Sequence, residues 1–258
     1  MSNTPNNGWF GAVAQDYSRF RPRYPDAIFQ WMAERAPARS HCWDAACGNG
    51  QASVGLARWF DHVTATDLSP EQIEAAQPHP GVTYSVGAAE RSHLHDCSTD
   101  AVLIAAAIHW LDVDGFNRET LRVLKPKGLL VWLGYQPIEG APMVLQNWLE
   151  DLYHQRLRSF WPPQRMHVDR HYTDLDFPLP SRAIPEGFVI NVQWTQVELL
   201  SFISTWSAMR RIEQSLELDR QHDLLLPALA VELRTIWPSE SDTLQLQLPL
   251  MGRWGLAP

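Results

Sequence analysis

Asp44-Ala45-Ala46-Cys47-Gly48-Asn49-Gly50 decides how this chain folds. Before it, His41 to Ala45 reads as a short strand. After it, Gln51 to Trp59 reads as a helix with Val54, Leu56, Ala57 and Phe60 available for burial. The loop between them is built of small residues. Gly48 and Gly50 lack a Cβ, so a ligand can approach their backbone closely, and Ala45 and Ala46 are the next smallest choice. A second strand, His62 to Thr66, ends at Asp67, whose carboxylate can bind both hydroxyls of a ribose. Strand, small-residue loop, helix, strand and terminal acid in this order describe a nucleoside-binding α/β unit.

The pattern continues outward. Ser69-Pro70-Glu71-Gln72 is a helix start, with Ser as N-cap and Pro at the first helical position, and Pro78 and Pro80 close that helix. Val82 to Val86 is a third strand. Ala101 to Ala106 is an unbroken apolar run, as expected of a buried central strand in a parallel sheet. Asp114 to Leu124 reads as an amphipathic helix, Lys125-Pro126-Lys127-Gly128 as a turn, and Leu129 to Leu133 as a strand. From residue 136 the alternation stops. Met143 to Phe160 reads as a helix and Trp161 to Pro185 as a Pro-rich aromatic loop. Phe188 to Trp194 follows as a strand, Val197 to Leu216 and Leu224 to Trp237 as helices, and Leu244 to Met251 as a half-buried strand. Upstream, Pro25 to Ala36 has helical spacing.

The expectation is one α/β domain over 1–258, a doubly wound, mostly parallel seven-stranded sheet with an antiparallel edge. Its core spans about 38–135, 187–195 and 243–253. A helical, aromatic cap comes from 1–37, 136–186 and 196–240.

Bulk properties narrow the function. With 258 residues and 45% hydrophobic content, a sizeable core can be buried. The net charge of −8 argues against a nucleic-acid backbone as the main partner. Cys42, Cys47 and Cys97 form no CxxC pair, which argues against a zinc site or disulfide framework. His167 and His171 are four apart but lack the Glu of HExxH, and Val168-Asp169 does not read as helical, so no metal is expected. The N-terminus lacks the pattern of a secretory signal, and no apolar stretch reaches membrane-spanning length. A cytoplasmic protein acting on a small molecule, with no nucleic-acid or membrane partner, is expected, as a monomer or homodimer.

The cofactor class follows from the loop. A dinucleotide fold needs a third glycine to pack helix against strand, and here Gly48-Asn49-Gly50 is followed by Gln51-Ala52-Ser53. Residues 38–135 resemble the class I S-adenosylmethionine-dependent methyltransferases through this loop, Asp67 and the turn Leu124 to Gly128. A narrower resemblance is to the trans-aconitate-methyltransferase-like small-molecule group. Tyr17 to Pro25, Trp43 to Gln51 and His109-Trp110 with Asp112 carry it, together with Trp161-Pro162-Pro163, Val168 to Tyr172 and Thr205-Trp206-Ser207.

The resemblance implies S-adenosylmethionine as cofactor and S-adenosylhomocysteine as product. It places Asp44, Ala45, Ala46, Cys47, Gly48, Gly50 and Gln51 around the methionine part, Asp67 on the ribose and Leu68 against the adenine. Ala88, Ala89 and Glu90 would sit at the adenine edge. Many relatives carry an acid where Ala88 falls, so backbone groups or Glu90 would serve there. Ala105, Ala106 and Ala107 would floor the sulfonium, with Trp110 as a wall.

The remaining candidates face the chemistry. Arg21 has the fork geometry for a carboxylate, of either cofactor or substrate. Tyr17 either closes over the methyl group or packs the N-terminal arm. His109 directly follows the buried strand. It is a candidate general base for a hydroxyl or amine acceptor, or a hydrogen-bonding group. Tyr135, Trp161, His171, Tyr172, Trp206 and Arg210 are candidates for the substrate face, with cap packing the alternative reading.

The expected reaction is methyl transfer to an oxygen, carboxylate or hydroxyl, of a metabolite. The alternatives are a nicotinamide oxidoreductase and a non-catalytic S-adenosylmethionine-binding protein.

Overall fold

The computed structural model describes residues 21–214, 222–239 and 241–258. The first half is α1 (Asp26–Arg35), β1 (His41–Ala45), α2 (Gln51–Leu56), β2 (His62–Asp67), α3 (Pro70–Glu74), β3 (Val82–Val86), β4 (Thr99–Ala105), α4 (Val113–Val123) and β5 (Leu124–Tyr135). The second half is α5 (Met143–Asp151), α6 (Arg165–Asp169), β6 (Arg182–Ala183), β7 (Val189–Trp194), α7 (Gln196–Ser204), α8 (Ser207–Glu213), α9 (Leu226–Ile236) and β8 (Leu244–Leu256).

The strands form one mixed sheet in the order β3-β2-β1-β4-β5-β8-β6, with β7 also paired to β8. Strands β1 to β5 are parallel, and β8 runs antiparallel to β5. The Rossmann-like architecture is as expected, and the two-residue β6 brings the strands to eight instead of seven. The strand order reverses between β1 and β4. In doubly wound sheets a ligand crevice opens at that point, beyond the carboxyl ends of the strands.

Successive side chains of a strand point to opposite faces, and this chain fills both. Cys42, Leu103 and Val131 pack toward Ile28 and Met32 of α1. Trp43, Val102, Ile104 and Trp132 pack toward Phe116 of α4 on the other side. Hence β4 reads as continuously apolar: it is buried on both faces. Its start is pinned by the buried Asp100. One oxygen accepts from the Ser40 and His41 amides at 3.0 and 2.9 Å, and the other meets Lys125 Nζ at 2.7 Å.

Several elements differ from expectation. Lys125 to Gly128 is an expansion inside β5, where pairing jumps from Thr99↔Leu124 to Ala101↔Leu129 and Lys127 takes φ +62°. The helix expected over 143–160 ends at Asp151 and passes into a π-helical turn, Leu152–Arg156. The helix expected over 197–216 is two helices. Trp206 breaks from helical geometry (ψ 140°) and packs against the Tyr153, Trp161 and Phe202 rings. Val168-Asp169 is helical within α6, contrary to expectation, and a 3₁₀ turn, Ile108–Trp110, follows β4.

Strand β8 holds the second half to the first, since residues 244–249 pair with β7 and 250–256 with β5. Gly252 makes this pairing possible. Its φ is +143°, and a Cβ there would lie 1.9 Å from the Trp132 carbonyl oxygen. Gly252→Ala should cost about 3 kcal/mol, or roughly 6–12 °C in Tm for a chain of this size. Chemical and thermal denaturation measure this, and a loss under about 1 kcal/mol would show that β8 can shift without penalty.

Candidate functional site

Two cavities open where the strand order reverses. The larger, about 240 Å³, lies over the ends of β1 and β2. The smaller, about 130 Å³, lies between the end of β5, α6 and the α7–α8 break. Arg21, Ala106, Trp110 and Tyr135 line both, so the cavities meet at these four residues.

The loop after β1 shapes the larger cavity. Ala46, Gly48 and Gly50 all have left-handed backbone, at φ +52°, +57° and +80°. The loop is tied by Cys47 N donating to Thr66 O at 2.9 Å and Gly48 N donating to Asp67 Oδ2 at 2.8 Å. The other Asp67 oxygen accepts from Ser69 N at 2.9 Å. Burial raises the Asp67 carboxyl above its ordinary value, and the Ser69 and Gly48 amides oppose that rise.

Asp44 is more deeply buried. Its Oδ2 accepts from Ser53 Oγ at 2.6 Å, while Oδ1 is buried with no hydrogen-bond partner. Burial pushes the carboxyl up to about 7 against the Ser53 hydrogen bond, and the nearby Asp67 adds to the rise. An unpaired buried acceptor on the wall of a cavity suits a cationic or hydrogen-bond-donating ligand group.

Asp44, Ala46, Cys47, Gly48, Gln51, Asp67, Leu68, Ala88, Ala89, Glu90, Ala105, Ala106, Ala107, Trp110 and Arg21 all line this cavity. Two expected residues do not. Ala45 is fully buried within β1, where its side chain joins the sheet core. Gly50 turns toward Tyr84, whose ring a Cβ there would overlap. Glu90 Oε1 accepts from Asp112 N at 3.1 Å, so it braces the wall. The sequence reading missed Asn49, Ser69 and Gln72, which also line the cavity. The last two sit in the helix-start signal after Asp67, which brings the first turn of α3 to the Asp67 end of the cavity.

The smaller cavity takes its walls from distant segments. Tyr135, Trp161, Trp206, Arg210, His109 and Trp110 line it as expected. His171 does not. It is exposed on the far side of the turn after α6, and Tyr172 points inward in its place. Tyr17 lies outside the described residues. Arg165 and Tyr153 were not anticipated. The Arg165 guanidinium carbon sits 5.4 and 5.5 Å from the Tyr153 and Trp161 ring centres and 16% of its side chain is exposed. Its signal was only a lone basic residue after Trp161-Pro162-Pro163.

Arg21 bridges the cavities, donating to the Tyr135 hydroxyl and, at 3.2 Å, to the Thr205 carbonyl oxygen. Arg210 pairs with Glu213 at 3.2 Å. Three arginines and no carboxylate are among the described residues lining the smaller cavity.

The role of general base expected of His109 does not fit its surroundings. Burial, reinforced by Arg165, His167 and Arg21, lowers its pKa to about 3. An imidazole so weakly basic is neutral at pH 7 and drives proton abstraction poorly. What it offers is a hydrogen-bonding nitrogen, since Nδ1 is buried without a partner.

Comparison with known proteins agrees with this geometry. A family model described as a methyltransferase domain matches residues 43–132. The chain is similar to the solved structure of a presumptive type II methyltransferase from Anaeromyxobacter dehalogenans. That likeness has 37% identity and a TM-score of 0.83, over 93% of this chain and 99% of that one. It is 29% identical over 210 residues to a presumptive methyltransferase from Dictyostelium discoideum, covering 77% of this chain and 76% of the other. It is also 28% identical over 207 residues to 2-methyl-6-phytyl-1,4-hydroquinone methyltransferase from Synechocystis, covering 77% of this chain and 64% of the other. No described helix is long and apolar enough to cross a membrane.

Asp44 generates a pH prediction for the protein without ligand. A carboxyl raised from 3.8 to about 7 on folding stabilises the folded state while protonated. That contribution is lost as pH rises from about 4 through about 7, on the order of a few kcal/mol. Asp44→Asn should therefore lose less stability than the parent over this range, measured by urea denaturation at each pH. Parallel stability profiles would count against a buried, protonated Asp44.

Proposed function

The chain belongs to the class I S-adenosylmethionine-dependent methyltransferases, and on that premise we propose that it methylates an oxygen, a carboxylate, of a small anionic molecule. The observation that carries the proposal is the second cavity. It is lined by Arg21, Arg165 and Arg210 with no acid among its described lining residues, and it opens onto the cofactor cavity. Its volume of about 130 Å³ suits an acceptor of about six non-hydrogen atoms, since a cavity near 150 Å³ takes benzene. The family membership leaves no place for the nicotinamide alternative.

The larger cavity fits S-adenosylmethionine. The unpaired Oδ1 of Asp44 suits the ammonium of its methionine part. Each Asp67 oxygen holds one backbone amide and keeps lone-pair capacity for a ribose hydroxyl. Leu68, half exposed, and Ala88 offer apolar surface to the adenine. Gly48 leaves the loop open, the nearest atom to a Cβ there being Gln72 Oε1 at 3.7 Å.

The bound cofactor supplies a methyl group activated by its sulfonium. The protein positions and desolvates. Arg21, fixed by Tyr135 and Thr205, stands at the junction and steers an anionic oxygen toward it. Ala106, with φ +53°, turns the chain aside after β4, and its small side chain leaves the junction open. Trp110 and Tyr135 narrow the opening and exclude water. A carboxylate is already ionised at neutral pH, so no base is required, consistent with a neutral His109. Correct placement of two reactants can supply about 7–11 kcal/mol of a barrier.

Turnover of methyl-labelled S-adenosylmethionine with a panel of small acids, their amides, phenols and amines tests the assignment. Acids alone should become labelled, and labelling of only phenols or amines would overturn it. Arg165→Gln should raise KM for the acid about 10- to 100-fold with a smaller effect on kcat, as expected for loss of an anion contact made before and during reaction. Asp67→Ala should weaken S-adenosylmethionine binding at least about tenfold by calorimetry, and unchanged affinity would remove Asp67 from the ribose site.

A further inference from the structure

Beside the arginines, two residues that line the smaller cavity each carry a buried polar atom with no partner. Tyr172 is fully buried, yet its hydroxyl makes no hydrogen bond. His109 is 9% exposed, and its Nδ1 is likewise unpaired. Their rings are stacked, with centroids 6.0 Å apart and planes 19° from parallel. Both line the cavity. The Tyr172 oxygen lies over Gly134 at the end of β5, where a Cβ would come within 2.9 Å of it. A larger residue at 134 would crowd the hydroxyl.

The backbone is strained to put the ring there. His171 and Tyr172 have φ of +53° and +60°, a left-handed conformation that is strained for non-glycine residues. Surrounding bonds hold it. Tyr172 N donates to His167 O at 2.7 Å, and Arg253 donates to the Tyr172 and Leu175 carbonyl oxygens at 3.3 and 2.7 Å. The ring packs in the core with Trp132 and Met251, but the hydroxyl adds nothing to that packing, because an unsatisfied buried hydroxyl is itself costly. Both side chains are uncharged at neutral pH, since burial raises the tyrosine and lowers the histidine. They therefore complement the arginines instead of duplicating them.

We propose that the Tyr172 hydroxyl and His109 Nδ1 form a neutral subsite that holds a hydroxyl group of the acceptor, so that the preferred substrate is a hydroxy acid. A hydroxyl both donates and accepts, and so can satisfy the two unpaired atoms at once. A bare aliphatic or aryl acid would leave both unsatisfied, and buried polar groups left unpaired are a strong source of discrimination. The inference rests on the carboxylate reading above and adds the second recognition element.

Calorimetric titration of the protein saturated with S-adenosylhomocysteine tests it. The probes are lactate, propionate, glycolate and acetate, each with its neutral amide. The hydroxylated member of each pair should bind about tenfold or more tightly than its partner. Tyr172→Phe should abolish that difference, leave propionate and acetate binding unchanged, and leave S-adenosylhomocysteine affinity unchanged. Its Tm should hold or rise, because only an unpaired oxygen is removed. Equal affinity within every pair, a difference that survives Tyr172→Phe, or a Tm loss showing a structural partner for the hydroxyl overturns the subsite. Amides that bind as well as the acids while the hydroxyl preference persists overturn the carboxylate reading alone.

Discussion

The carboxylate of Asp67 ties the end of β2 to the loop after β1, through the Gly48 amide on one oxygen and the Ser69 amide on the other. This contact holds the loop away from the strand ends, so that a cavity forms there. It works because Ala46, Gly48 and Gly50 accept left-handed backbone, and because small side chains leave the space unfilled. Ala106 does the same after β4. The two strands at which the sheet reverses order thus both end in a small residue turned aside by an unusual φ. Strain of this kind persists only where the surroundings enforce it. Here the Cys47 amide on Thr66 O and the Ala106 amide on Leu133 O do so.

Charge is divided between the cavities. Asp44, Asp67 and Glu90 line the larger, and Arg21, Arg165 and Arg210 the smaller, with Arg21 reaching into both. In low-dielectric surroundings such a division sorts ligands by sign before any specific contact is made. It also bears on His109. Burial disfavours the imidazolium, and Arg165, His167 and Arg21 reinforce this, so the imidazole stays neutral. Its place after a buried strand suggested a base, but burial and the fields around it make it a hydrogen-bonding group.

The smaller cavity depends on packing between segments far apart in the chain. Trp206 breaks the helix that would have run through it and inserts among Tyr153, Trp161 and Phe202. Those rings in turn flank Arg165 and lie near Arg21. Trp161 and Trp206 thus serve as rigid walls, Trp161 against the Arg165 guanidinium, which long flexible side chains would do at greater entropic cost.

The sequence by itself determined the parallel core, the succession of strands along the chain up to β5, the glycine loop and Asp67. Local chemistry suffices for these: apolar runs bury, small residues turn, and an acid at a strand end meets the next loop. The missing third glycine argued against a dinucleotide, and the resemblance of the loop and its flanks to methyltransferases implied the cofactor class. Tertiary structure alone decided the rest. It turned Ala45 into the sheet and Gly50 toward Tyr84, sent His171 outward and Tyr172 inward, and set Arg165 between two rings. It likewise placed Lys125 to Gly128 inside β5 and extended β8 to Leu256. The pKa of His109 could not be read from its neighbours in sequence, because the burial that lowers it, and the charges of Arg165, His167 and Arg21 that add to this, depend on segments far from it along the chain. Periodicity tells which face of an element is apolar. It does not tell which distant element covers that face, and in the smaller cavity that covering sets both charge and shape.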